Sequence, residues 1–147
     1  MTETLRSAVM LFRRSRGLAD DEASRRIWLA TLGQLIVPLP NFDWRREILA
    51  RNDVHHLLTG FDTTVGGELS VAAWELGVGC YASPWARLLC VGLLITGLIV
   101  QPRQTINAYR HGRRSAGLYA QNQVAGFLDA SLADLRQRCG LPLGGLA

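Results

Sequence analysis

Residues 83–102 read SPWARLLCVGLLITGLIVQP, and the fold turns on how this stretch is placed. Ser83 offers a side-chain acceptor for a helix N-terminus, and Pro84 has no amide hydrogen to leave unpaired in a first turn, so a helix is expected to open here. Gln101 and Pro102 close it. The uncharged part, Leu88 to Val100, counts 13 residues. That is about 20 Å of helix against roughly 30 Å of bilayer interior. The segment is short for a span and is expected to be a buried central helix, a transmembrane or re-entrant role being the other reading. Gly92, Thr96 and Gly97 would let a neighbouring backbone or a slender ligand approach it closely.

Helical spacing of apolar residues extends outward in both directions, with no sustained alternation and no Asn-Gly or Asp-Gly hairpin signal. The expectation is an all-α protein: one compact multi-helix domain over residues 1–147. An amphipathic N-terminal helix within residues 1–17 carries Leu5, Ala8, Val9 and Phe12 on one face, suited to a core or to a membrane surface. A second helix is expected from the acidic run Asp20, Asp21 and Glu22 through Trp28, Leu32, Leu35 and Ile36, stopped at Val37-Pro38-Leu39-Pro40. Asn41 and Asp43 can cap a third, which continues or kinks into Arg51 to Thr59 and stops at Gly60, and a fourth covers about Glu68 to Val78. Ile106, Tyr109 and Arg110 mark a sixth, and the last helices run from about Gln123 to Cys139.

The chain has 147 residues, 48% of them apolar, and its 16 basic residues are all arginine, for a net charge of +4. That suffices for one sizeable core, and the charge is too small and too dispersed for a nucleic-acid binder. It can favour an anionic lipid surface. Cys80, Cys90 and Cys139 are odd in number and lack CxxC spacing, so neither a disulfide framework nor a thiolate zinc site is expected. The apolar run of the N-terminus is broken by Arg13 and Arg14, which argues against a secretory signal.

Ionisable residues concentrate in RNDVHHLLTGFDTTVGGELSVAAWELG, residues 51–77. On a helix Asp53 and His56 share a face, with Asn52 four residues from His56, and the stop at Gly60 and the Gly66-Gly67 pair allow Glu68 to fold back toward them. Imidazole, carboxylate and amide donors suit zinc, magnesium, manganese or ferrous iron. The same residues also serve as ordinary capping and dipole partners near helix ends. His55, about 100° around the helix, reads as a packed or supporting histidine.

This window resembles the signature of the ubiquinone (coenzyme Q) biosynthesis protein 4 family, His-Asp-x-x-His, eleven residues, Glu. Eleven residues separate His56 from Glu68, and the flanks His56-Leu57-Leu58-Thr59-Gly60 and Gly67-Glu68-Leu69 match as well. Tyr109 to Arg114 and Leu132 to Leu141 resemble the family's C-terminal region, so the likeness covers about residues 20–141. It implies an all-helical protein with a divalent metal on Asp53, His56 and Glu68 beside a hydrophobic tunnel. Asn52 stands where the family has its first histidine, and a neutral amide oxygen is a weaker ligand than imidazole.

The resemblance further implies metal-dependent, in some versions oxidative, decarboxylation at C1 of a polyprenylated hydroxybenzoate. Asp53 or Glu68 would move the proton if not both are ligands. The tunnel candidates are Leu58, Trp74, Leu89, Gly92, Leu93, Thr96 and Gly97, which core packing explains equally well. Arg110, Arg113 and Arg114 could hold an anionic head group, or simply form a solvated helix end. The implied setting is cytoplasmic, peripheral to the inner membrane, with other quinone-biosynthesis proteins as partners and a homodimer left open. The competing expectations are a non-catalytic isoprenoid-lipid scaffold, which the Asn52 departure favours, and a helical interaction domain with no ligand.

Overall fold

The computed structural model describes residues 4–15, 26–32, 35–40, 42–79, 81, 83–115 and 127–147. Within them lie α1 (Leu5–Ser15), β1 (Ile27–Leu32), β2 (Leu35–Pro40), α2 (Asp43–Thr59), α3 (Val65–Val78), α4 (Pro84–Val100), α5 (Pro102–Arg114) and α6 (Leu132–Arg138). The six helices build the core, as an all-α reading requires. The expectations at Asp20, Asp21, Glu22, Asn41, Cys80 and Gln123 lie outside the described residues.

Several boundaries follow local chemistry. Gly60 ends α2 in the left-handed region at φ 80°, its amide donating to the His56 carbonyl. The Thr64 side chain caps α3 by accepting from the Gly67 amide, which starts this helix three residues before the expected Glu68. Ser83 caps α4 through the Ala86 amide, with Pro84 in the first turn. No side chain caps α2, whose N-cap is Phe42. The third helix is continuous, and of the last helices only the short α6 is described.

Two expectations are corrected. The second helix is a hairpin: β1 pairs antiparallel with β2, Ile27 opposite Pro40 and Leu32 opposite Leu35. Isoleucine, valine, threonine and tryptophan enrich these segments and favour extended backbone. Prolines at 38 and 40 are tolerated because each strand of a two-stranded sheet has an edge that needs no donor. The second correction concerns α4, which is a surface helix. Only Ala86, Cys90 and Gly97 are buried along it, while Trp85, Leu88, Leu89, Ile95, Ile99 and Val100 are all exposed.

The central place belongs to α3, buried without a break from Leu69 to Glu75. Its small residues explain why. A Cβ at Gly77 would fall 2.4 Å from the Tyr109 carbonyl oxygen, and one at Gly112 would fall 2.2 Å from that of Trp74, so α3 and α5 cross with backbones in contact. A Cβ at Gly97 would meet the Thr105 hydroxyl at 2.6 Å, which seats the end of α4 on α5. Around these contacts pack Leu5, Val54, Leu58, Trp74, Ala108 and Leu135.

Gly112→Val is expected to lower stability by about 2–3 kcal/mol through overpacking. Gly92→Ala, where a Cβ meets nothing within 4 Å, is expected to stabilise by up to about 1 kcal/mol through helix propensity. Urea unfolding of the two variants beside the parent chain measures both.

Candidate functional site

Helix α2 and the loop from Gly60 to Thr64 bring His56 and Glu68 together. The His56 Nδ1 lies 2.9 Å from the Phe61 carbonyl oxygen. A carbonyl only accepts, so Nδ1 carries the hydrogen and donates it. The other ring nitrogen, Nε2, lies 3.1 Å from Glu68 Oε1. His56 is buried, while the Glu68 side chain is 39% exposed, so the pair opens to solvent on the carboxylate side.

This arrangement fixes a charge requirement. With Nδ1 donating, a neutral His56 would aim the Nε2 lone pair at a carboxylate, which needs a cation between the two: a proton or a metal ion. Burial pulls the His56 pKa down, but the hydrogen bonds to Glu68 and Phe61 and the charges of Glu68 and Glu75 outweigh it and raise it above 6.5.

Asp53 is directed elsewhere. Its Oδ2 accepts from Arg13 Nε at 2.6 Å, and both side chains are largely covered. Phe12, the preceding residue of α1, stacks on the His56 ring with centroids 5.9 Å apart and planes 23° from parallel. The N-terminal helix therefore lies across the face of α2 that carries Asp53 and His56. Asn52, on the neighbouring face, is partly buried. Among the described residues no three His, Cys, Asp or Glu side chains are grouped to hold one metal ion. Of the expected ligands, the structure joins His56 with Glu68 and gives Asp53 to Arg13.

The expected tunnel residues separate as well. Leu58 and Trp74 are packed into the interior, and Gly97 is buried against Thr105. Leu89, Gly92 and Thr96 face outward, with Leu93 partly buried. Arg110, Arg113 and Arg114 are exposed at the end of α5. A cleft of about 420 Å³ lies instead at the start of α3, lined by Phe61, Asp62, Thr64, Gly67, Gln101 and Gln104 among others. Gln101 Nε2 donates there to the Gly66 carbonyl at 2.7 Å and to Ser70 Oγ at 3.0 Å.

A second ionisable cluster, absent from the sequence expectations, surrounds Glu75. Glu75 is buried, and its Oε1 accepts from His55 Nδ1 at 2.5 Å and from the Tyr81 hydroxyl at 2.8 Å. Cys90 Sγ lies 3.4 Å from Oε2. Burial, together with the Glu75 charge, pushes the Cys90 thiol far above its ordinary value and keeps it protonated. The rings of Trp74 and Tyr81 meet His55 edge-on. The signal was available, since Glu75 is a lone acid inside the apolar run Val71 to Val78, and a buried carboxylate requires donors.

Compared with family models, with curated proteins and with solved structures, the chain gives no significant match.

The raised His56 pKa sets a direction for stability. The folded protein binds more protons than the unfolded chain between about 6.5 and the raised value, so the contribution of this pair is full below 6.5 and declines as pH rises through the folded pKa. Chemical unfolding across pH 5.5–9 is expected to show that decline, flattened in Glu68→Gln. Glu75→Ala should cost about 3–5 kcal/mol, because the buried partners lose their anion. Tyr81→Phe removes one hydrogen bond and should cost about 1 kcal/mol.

Proposed function

We propose that this protein acts in ubiquinone biosynthesis on a polyprenylated hydroxybenzoate, as a metal-dependent enzyme for its C1 decarboxylation, oxidative or not. The carrying observation is the 3.1 Å approach of His56 Nε2 to Glu68 Oε1 with Nδ1 held by the Phe61 carbonyl, a pair that a proton or a divalent ion would bridge. The donor chemistry fits a divalent ion, since one imidazole and one carboxylate, completed by water or substrate oxygens, make a borderline-to-hard set open on one side. His56 and Glu68 would hold it, and Asp53 would join only on leaving Arg13. Bound there, the metal would supply Lewis-acid stabilisation of charge that develops on the aromatic ring. With Glu68 engaged as a ligand, the proton for the ring carbon that loses its carboxylate would come from water on the open side of the pair.

The substrate's tail calls for an apolar surface, and α4 supplies one. Its outward stripe of Trp85, Leu88, Leu89, Ile95, Ile99 and Val100 surrounds Gly92 and carries no charge. Arg103, Arg110 and Arg114 are exposed along the neighbouring α5 at spacings that share one helical face. Apolar side chains beside arginines suit the surface of an anionic membrane, where a prenylated intermediate resides. No helix of the described residues is long and apolar enough to cross it. The reading is a peripheral protein that meets its substrate at the cytoplasmic membrane.

The alternative is a non-catalytic isoprenoid-lipid scaffold for a quinone-biosynthesis complex. Two observations favour it: Asn52 in place of an imidazole, and Asp53 engaged by Arg13.

Metal analysis after dialysis against manganese, zinc or ferrous iron, followed by turnover of a geranylated 4-hydroxybenzoate, tests the enzyme reading. Near-stoichiometric metal and product in the parent chain, both lost in Glu68→Gln, are expected. Binding of the same acid without turnover would select the scaffold. Sedimentation with vesicles containing phosphatidylglycerol is expected to lose most bound protein in Ile95→Glu/Ile99→Glu, and unchanged binding would remove α4 from the membrane surface.

A further inference from the structure

Arg13 stands out on the α1 segment that crosses the face of α2 bearing Asp53 and His56. Its Nε is committed to Asp53 Oδ2 at 2.6 Å, which fixes the guanidinium plane, and its side chain remains 25% exposed. A guanidinium has five donor hydrogens in a planar fork, and Nε uses only one of them. Among the described residues, no further hydrogen bond engages its two terminal nitrogens. The adjacent Phe12 places an aromatic face against His56, and His56 in turn faces Glu68. Within one stretch of α1 lie a cation anchored on Asp53 and an aromatic plane stacked on the imidazole.

We propose that Arg13 is a specificity-determining residue that recognises the carboxylate of an aromatic acid through its terminal nitrogens, with Asp53 as the positioning residue that holds it. This rests on the reading of the substrate as a prenylated hydroxybenzoate and adds how its acid group is selected. The geometry gives Asp53 a task other than metal ligation. With Nε anchored by one carboxylate, the terminal nitrogens would be left to receive a second in the planar, bidentate manner that a lysine ammonium does not match. Because the pair is largely covered, removing Arg13 alone leaves the Asp53 charge uncompensated and costs stability, so folding is followed separately from binding.

The test compares two probes that differ only in the acid group, 3-geranyl-4-hydroxybenzoate and 2-geranylphenol, with binding followed by tryptophan fluorescence. The parent chain is expected to prefer the acid. Arg13→Met should weaken binding of the acid at least about tenfold, roughly the value of one charge-assisted contact, and leave the phenol unchanged. Arg13→Lys should recover only part of that loss, and Asp53→Asn should weaken the acid selectively. Helical content by circular dichroism identifies any variant that has lost α1, and Arg13→Lys then carries the comparison. Equal affinity of the parent chain for the two probes, or equal losses for both in Arg13→Met, overturns the role of Arg13 and leaves the prenylated-aromatic reading standing. Binding of neither probe by the parent chain overturns both.

Discussion

A carboxylate sealed inside a helical core has to be met by donors, and Glu75 shows what that demands of the surrounding chain. It sits on the most buried helix and takes hydrogen bonds from His55 on α2 and from Tyr81 in the α3–α4 connection, with Cys90 on α4 beside it. Three helices and a loop are thereby held in one register. The desolvation cost of the acid makes this arrangement specific, because a shift of any partner would leave a buried charge unmatched. His55 and His56 are neighbours on α2. Fixing the first against Glu75 sets the rotation of the helix that presents the second to Glu68.

The His56–Glu68 pair also depends on how the chain reverses. Gly60 adopts a conformation that a side chain would strain, and the Thr64 cap starts α3 soon afterwards, so the eleven residues between the two partners close a tight return. The Phe61 carbonyl lies within that return. By taking the Nδ1 hydrogen it determines which imidazole nitrogen faces the carboxylate. Backbone geometry thus decides the chemistry of the side chain, and an open cleft adjoins the same loop.

Two misplacements separate pattern from packing. The stretch from Leu88 to Val100 is the most apolar of the chain and was expected at the centre, yet Leu69 to Glu75 occupies it. Glycine, alanine and serine on α3 permit close approach from several sides, whereas the large side chains of α4 cannot all be accommodated by one neighbour. The hairpin's apolar residues also satisfy a helical period, and only their β-branched and aromatic character distinguishes the strands.

Helix ends at Gly60, Ser83, Pro84 and Gln101, the helical class, and the closeness of His56 to Glu68 were legible in the order of residues, because capping, glycine conformation and short loops act locally. The engagement of Asp53 by Arg13, 40 residues away in the chain, the assembly around Glu75 and the outward face of α4 were not. Those depend on which distant surfaces fit together, and only the packed chain brings such surfaces into contact.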